Sequence, residues 1–431
     1  MGIEVSSEMQ PGDILGDYKE TILGKIPKYW NLTKLGDHVE DLIVPMRDKP
    51  KQFRGQIPWC RIDDFNGKYL YTSKNGYFVD KDTISKMNLK VFPKGTVICS
   101  CSANLGICAI AGNPLITNQT FIGIVPKNTF DTEFLYYLMI SYAKRLQSLS
   151  TGTTISYLPK DKFENFIVVK PPLNEQRKIA AILSSVDAAI EQTDAIIAQT
   201  ERMKKGLMQE LLAKGIRHTD FRKTAVGMIP AEWDVIKIEN LVMKIKQIDP
   251  HSRPNWRFKY IDVSSISREN LSIGSYKEYL GKNAPSRARK LIKTGDIIFS
   301  TVRPYLKQVS LIPDSFDGHV CSTAFCVIRC RPDVVDSKFL FQIVIRDDFI
   351  EKVSILQTGS NYPAVTDKDI LCQLIPYPPF SEQRKIADIL SSVDEKIEGE
   401  REYCARLKAV KRGLMQDLLT GRVRVKVDGN V

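Results

Sequence analysis

The chain has 431 residues, 43% hydrophobic and 26% charged, a globular balance that excludes wholesale disorder. Lys and Arg outnumber Asp and Glu by 62 to 50, and a net charge of +12 suits a polyanionic partner, because each cation placed on a phosphate releases a condensed counterion. Nine cysteines and four histidines without paired C-x-x-C spacing argue against a disulfide framework and a metal centre. No apolar run approaches the roughly 18 residues of a membrane span, so a cytoplasmic location is expected.

In chain order, residues 1–20 read as an extension. Gly24-Lys25-Ile26-Pro27 then leads to Trp30, and Lys94-Gly95 opens the apolar run Thr96–Cys101, a buried strand. Cys99, Cys101 and Cys108 there, like Cys321, Cys326 and Cys330 beside His319 later, read as small hydrophobes in strands. Thr132–Met139 reads as a short helix against the sheet, and Thr151-Gly152 precedes Pro171-Pro172 by about twenty residues.

A long helix follows over 171–216. Asn174 is its expected N-cap, with Glu175 and Gln176 in the first turn, where a carboxylate suits the helix dipole. Apolar positions recur at 3-4 spacing through Ile179, Leu183, Val186, Ile190, Thr193 and Ile197, a coiled-coil seam with a polar middle. Gly215 supplies the stop and Lys214–Asp220 the link onward.

The pattern then repeats. Gly227-Met228-Ile229-Pro230 leads to Trp233, Thr294-Gly295 opens the strand Asp296–Ser300, Ser337–Gln342 reads as a short helix, and Thr358-Gly359 precedes Pro378-Pro379. The second long helix, 378–420, has Ser381 as expected N-cap and the seam Ile386, Leu390, Val393, Ile397, Glu400, Cys404, Leu407, and stops at Gly421. The two helical segments are offset by 207 residues without a gap, and 24 of 42 paired positions are identical. The chain is therefore two copies of one unit, a variable region followed by a helix.

About 40 helical residues make a rod of roughly 60 Å, and two such rods related by a repeat are expected to pair antiparallel. Gly206 and Gly413 cost about 1 kcal/mol each in a helix interior, so their presence in both copies predicts a close approach, by the other helix or by a partner.

The doubled G-x-I-P…W, T-G, P-P-x-x-E-Q-R-K-I-A and G-L-M-Q-x-L-L motifs resemble the specificity subunit of type I restriction-modification systems, over nearly the whole chain. The resemblance implies an α+β fold of two globular, mixed, strand-rich target recognition domains separated by two long helices in an antiparallel coiled coil, with an internal pseudo-twofold repeat. It divides the chain into an extension (1–20), the first recognition domain (21–170), the first helix (171–216), a linker with the second recognition domain (217–377), the second helix (378–420) and a tail (421–431). Each domain would read one half of a bipartite double-stranded DNA target. The helices would set the spacing and dock two methyltransferase subunits. S-adenosylmethionine would sit on those subunits and ATP on separate restriction and motor subunits, leaving this chain without a cofactor.

The residues themselves give no catalytic signature. Tyr377-Pro378-Pro379-Phe380 imitates an amino-methyltransferase motif, but Tyr377, and Lys170 in the other copy, cannot supply the acceptor that binds the target amine. Pro332-Asp333 with Asp336 and Lys338 imitates a nuclease carboxylate set compressed into a few residues, and no phosphate loop of the GxxxxGK[ST] type is present.

Base reading needs Arg, Asn, Gln, Ser or Thr at a groove, and positioning needs cations on phosphates. Candidate DNA contacts in the first domain are Ser102 and Asn104; Asn118, Gln119 and Thr120; and Thr153, Thr154, Ser156 and Tyr157 after the T-G motif. The aligned set in the second is Arg303, Tyr305 and Lys307; Ser322 and Thr323; Ser360, Asn361 and Tyr362; with Arg287 and Arg289 on phosphates. Arg177, Lys178, Arg384 and Lys385, repeated on both helices, are candidate contacts for the partner subunits. A coiled-coil scaffold that binds protein instead of DNA is the other reading open at this point.

Overall fold

The computed structural model describes residues 18–102, 105–149, 157–359 and 363–426. It divides into two compact units, each built from pieces distant in sequence. One takes the chain up to Thr193 together with the segment from Tyr403 onward; the other is Asp194–Glu402. Both long helices, Leu173–Lys214 and Phe380–Leu418, are continuous, so each unit owns the start of one and the end of the other.

In the first unit the central sheet runs, in spatial order, Val39–Ile43, Phe121–Pro126, Val97–Ser100, Cys108–Ala111, Tyr69–Leu70. In the second the corresponding sheet runs Val242–Met243, Phe325–Cys330, Ile297–Ser300, Val309–Leu311. A second sheet flanks each, of three strands in the first unit and four in the second, and each contains a short parallel pairing: Ile116 with Trp59 in one, Val320 with Tyr260 in the other. The runs predicted as buried strands are the central ones, buried along their length because sheet and helix cover both faces. The short helices lie where expected, Thr132–Ser141 and Ser337–Val344, each capped by an aspartate, Asp131 or Asp336, whose carboxylate accepts the N–H of Phe134 or Phe339 at 2.9 Å.

The core of each unit absorbs both helices. In the first, Ile179, Ala180 and Leu183 join Leu418 and Leu419 around Trp30; in the second, Ile386, Ala387 and Leu390 join Leu212 around Trp233. Salt bridges, with the shared core at the helix ends in the first unit, show the helix segments running antiparallel inside each unit. Lys411 reaches Asp187 at 2.6 Å in the first, and Lys204 reaches Asp394 at 2.5 Å and Arg401 reaches Glu201 at 2.7 Å in the second. Along the first helix, Thr193 and Thr200 occupy buried seam positions and satisfy their hydroxyls on the carbonyls of Ala189 and Ile196, which is how a polar seam escapes an unpaired donor.

The helix starts differ from expectation by one turn position. Asn174 and Ser381 are not N-caps: the helices begin at Leu173 and Phe380, and the carbonyls of Pro172 and Pro379 accept the N–H groups of Gln176 and Gln383 at 3.0 Å. A proline fits there because the first helical amides need no intrahelical acceptor and its φ is preset. The shift gives the repeated residues specific partners. Glu175 and Glu382 are placed where their carboxylates accept the indole N–H of Trp30 and Trp233, both at 3.0 Å. Gln176 and Gln383, both fully buried, accept the N–H of the capping Asp131 and Asp336 and donate back to the carbonyls of Pro171 and Pro378.

Gly206 and Gly413 stand exposed, and a Cβ added to either would meet nothing within 4 Å. The close approach predicted for them is not made within the described residues. Close packing is found instead at the helix stops. Gly215, at φ +68°, has Trp233 and Glu382 within 2.6 Å of where a Cβ would lie, and Gly421, at φ +72°, has Pro27 within 2.5 Å and Trp30 within 3.2 Å. The end of each helix thus seats on the tryptophan that is bonded to the start of the other.

Candidate functional site

Ser102 and Asn118–Thr120 follow strands of the first unit, and the structure brings them together around Cys101. The Cys101 N–H donates to the carbonyl of Thr120 at 2.9 Å, its carbonyl accepts the N–H of Leu158 at 2.8 Å, and Ser102 bridges to Tyr157. Within this face Asn118 has a bracing role: its side-chain oxygen accepts the hydroxyl of Thr120 at 2.6 Å, closing the turn between strands. Gln119 and Tyr157 are left exposed, Tyr157 by 40%.

The second unit builds the same face from different side chains. Thr301 stands where Cys101 does: its N–H donates to the carbonyl of Ala324 at 2.8 Å and its carbonyl accepts the N–H of Val365 at 2.9 Å. The Thr323 N–H donates to the carbonyl of Arg287, and the Arg303 N–H to that of Pro363. Arg303 and Lys307 both adopt left-handed φ, +48° and +52°, on either side of the single turn Pro304–Leu306. Non-glycine residues seldom do so, and two of them four residues apart store backbone strain in a loop on the candidate face. Arg287, Thr323 and Tyr305 are exposed there and Arg303 is half-buried.

Three candidates on this face already have partners within the protein. Ser322 is only 2% exposed and its hydroxyl accepts the Ala324 N–H, so it supports the turn and cannot reach a groove. Arg289 is committed to Asp249 at 2.6 Å, and to the carbonyl of Ser286. Lys307 is paired with Asp347, a carboxylate that also takes Lys205 of the first long helix at 3.4 Å. The bond from Lys307 holds the Asp347 carboxyl below its usual range, with Lys205 adding to the effect and burial opposing it. Asn104, Thr153, Thr154, Ser156, Ser360, Asn361 and Tyr362 lie outside the described residues.

Arg177, Lys178, Arg384 and Lys385 are exposed near the starts of the two long helices, next to the Glu-Gln pairs, of which Glu175, Gln176 and Gln383 are buried and Glu382 is half-buried. Sequence reasoning missed a basic loop after the first strand of each central sheet, where Arg47, Lys49, Lys51 and Arg54 in the first unit and Lys244 and Lys246 in the second are exposed. Four cations within 47–54 were the available signal. It also missed the partners of the repeated Glu, Gln and Asp on the helices, whose signal was their identity in both copies.

Seven of the nine cysteines are buried, and Cys330 and Cys372 are half-buried. Cys99 and Cys108 face each other across adjacent strands, and burial, reinforced by the contact with Cys108, pushes the Cys99 thiol well up. Among the described residues no group of three or more His, Cys, Asp and Glu could hold a metal ion, and no helix is long and apolar enough to cross a membrane.

The profile of the type I restriction modification DNA specificity domain matches residues 27–202 and again 230–409. The chain is 26% identical to the type I restriction enzyme MjaVIII specificity subunit of Methanocaldococcus jannaschii, over 95% of this chain and 96% of that one. It is 22% identical to the EcoDI specificity subunit of Escherichia coli, over 84% and 81%. A crystal structure of the type I restriction-modification S subunit from M. genitalium shares its fold, with a TM-score of 0.57 over 90% of this chain and 96% of that one at 14% identity. With two full matches filling most of its length, the chain belongs to the type I restriction-modification DNA specificity domain family.

Proposed function

We propose that the chain is the DNA-recognition subunit of a type I restriction-modification complex and performs no chemistry itself. Each unit presents one face to one half of a bipartite duplex target, and the long helices carry the two faces. The observation that carries this reading is the doubled face itself. One backbone scaffold, around Cys101 in the first unit and Thr301 in the second, is furnished with unlike side chains: Gln119 and Tyr157 against Arg287, Arg303, Tyr305 and Thr323. Like scaffolds with unlike contacts read unlike half-sites, so the target is asymmetric. Arg303 suits a guanine edge, the exposed cations of the basic loops suit phosphates, and neither demands a catalytic group.

The exposed Arg177, Lys178, Arg384 and Lys385 recur in equivalent places on the two helices, which fits two methyltransferase subunits docked in equivalent ways. S-adenosylmethionine then belongs to those subunits, and ATP to the restriction and motor subunits that join the complex. The test is an exchange: residues 21–170 are replaced by the matching region of a relative, and the targets methylated by the assembled complex are mapped. One half of the target changes while the other half stays. A change in both halves, or in neither, refutes the assignment of one face to one half.

A further inference from the structure

Asp187 and Asp394 are equivalent positions of the repeat, and each is the meeting point of three elements of its own unit. Asp187, on the first long helix, accepts the hydroxyl of Tyr137 from the short domain helix at 2.7 Å and the ammonium of Lys411 from the second long helix at 2.6 Å. Asp394, on the second, accepts the side-chain amide of Gln342 from the other domain helix at 3.0 Å and the ammonium of Lys204 from the first long helix at 2.5 Å. The geometry is the same twice, although the domain donor has changed from a phenol to an amide. Asp187 is 14% and Lys411 22% exposed as side chains, enough shielding for a charge-assisted bond to keep its strength.

Around each of these points the second attachment differs. In the first unit Lys68 donates to Glu133 at 3.0 Å and to Ser184 at 2.9 Å, Tyr69 donates to the same glutamate, and Ser184 joins Tyr137. In the second unit the position of Glu133 holds the exposed Lys338, and the domain is tied instead by Arg401 to Asn270 and by Arg346 to the carbonyl of Leu212. What the two units share, apart from the helix starts, is the aspartate with its lysine from the other helix.

We propose that Asp187 and Asp394 are positioning residues for target selection: each clamps its recognition domain against both long helices at one angle and so restricts the gap tolerated between half-sites. The proposal rests on the DNA-reading function proposed above. The clamp touches no base or phosphate; it acts through the domain helix. Removing an aspartate takes the carboxylate acceptor from Tyr137 or Gln342 and from a lysine, leaving Tyr137 only Ser184, while the apolar contacts of the helix starts remain, so the domain stays folded and loses its fixed angle.

The test uses the full chain assembled with its methyltransferase subunits, as wild type and as Asp187→Ala, Asp187→Asn and Asp394→Ala, with Val186→Ala as a variant that loosens the seam without touching the clamp. Two readouts are taken: the gap distribution enriched from random duplex DNA, and hydrogen exchange of the amides of Thr132–Ser141 and Ser337–Val344. The wild type enriches one gap. Asp187→Ala and Asp394→Ala each lower the preference for that gap over a gap one base pair longer by about tenfold, the factor one charge-assisted hydrogen bond supplies, while both half-site sequences persist. Each speeds exchange in its own domain helix, and Asp187→Asn, which keeps an acceptor for Tyr137, recovers part of the preference. An unchanged gap preference in the alanine variants, or equal broadening by Val186→Ala, overturns the positioning role. Absence of any enriched sequence with the wild type, while exchange in the domain helix still responds to the aspartate, overturns the DNA-reading function and leaves the clamp as a structural joint.

Discussion

Replacing single glycines by alanine should move stability in opposite directions at two positions of the same helix. Gly215 ends the first long helix at φ +68°, and a Cβ there would fall 2.6 Å from both Glu382 Oε1 and Trp233 Cζ2 and 2.7 Å from His218 Cδ2. The left-handed conformation costs alanine about 1 kcal/mol and forced displacement of packed neighbours about 1–3 kcal/mol, so Gly215→Ala loses about 2–4 kcal/mol. The neighbours cannot yield cheaply, because Trp233 is fully buried and Glu382 holds Trp233, the Ile216 N–H and His218. Gly206, nine residues earlier, is exposed with nothing within 4 Å of a Cβ, so Gly206→Ala gains about 0.5–1 kcal/mol from helix propensity alone. Urea denaturation of the isolated chain, compared at equal slope, measures both. A loss under about 0.5 kcal/mol for Gly215→Ala, or any loss for Gly206→Ala, refutes the packing described here. If Gly206→Ala is stable yet captures methyltransferase subunits poorly, the glycine serves close approach by a partner.

Three further outcomes are expected. Arg303→Ala costs about 1–3 kcal/mol of target affinity and relaxes a single base preference, as measured by competition between the full target and its point variants; unchanged affinity removes Arg303 from base reading. Arg287→Ala reduces the slope of log affinity against log salt by about one, whereas Lys307→Ala leaves the slope and lowers stability, since its ammonium is spent on Asp347. Burial raises the Glu133 carboxyl, but bonds from Ser184, Tyr69 and Lys68 outweigh it and hold the group below its usual 4.5. A lowered pKa contributes stability above 4.5 that is lost as pH falls through the lowered value. The stability difference between wild type and Glu133→Gln should accordingly be full at neutral pH and shrink in acid, and a difference independent of pH would contradict the network.

The fold was legible because it was written twice. Alternation of variable region and helix, the 207-residue offset and the 3-4 spacing were enough to place both helices and their neighbouring strands. Exchange of helix ends between units was not legible, since no local pattern says that Leu418 shares a core with Trp30 or Leu212 with Trp233. Propensity misplaced the helix starts because Asn174 and Ser381 are good caps in isolation, while the tertiary bonds of Glu175 and Glu382 to tryptophans fix the register. At the candidate face, residue type alone could not tell an open side chain from a brace. Ser322, Arg289 and Lys307 have the chemistry of readers and are occupied by Ala324, Asp249 and Asp347, partners 2 to 40 positions away in sequence.

The central claim is tested most directly by selecting random-sequence duplex DNA with the chain assembled on its methyltransferase subunits. Two unlike short sequences at one fixed gap should be enriched. Recovery of no sequence even at low salt would contradict the claim, and would leave the two faces as surfaces for protein partners on a coiled-coil scaffold.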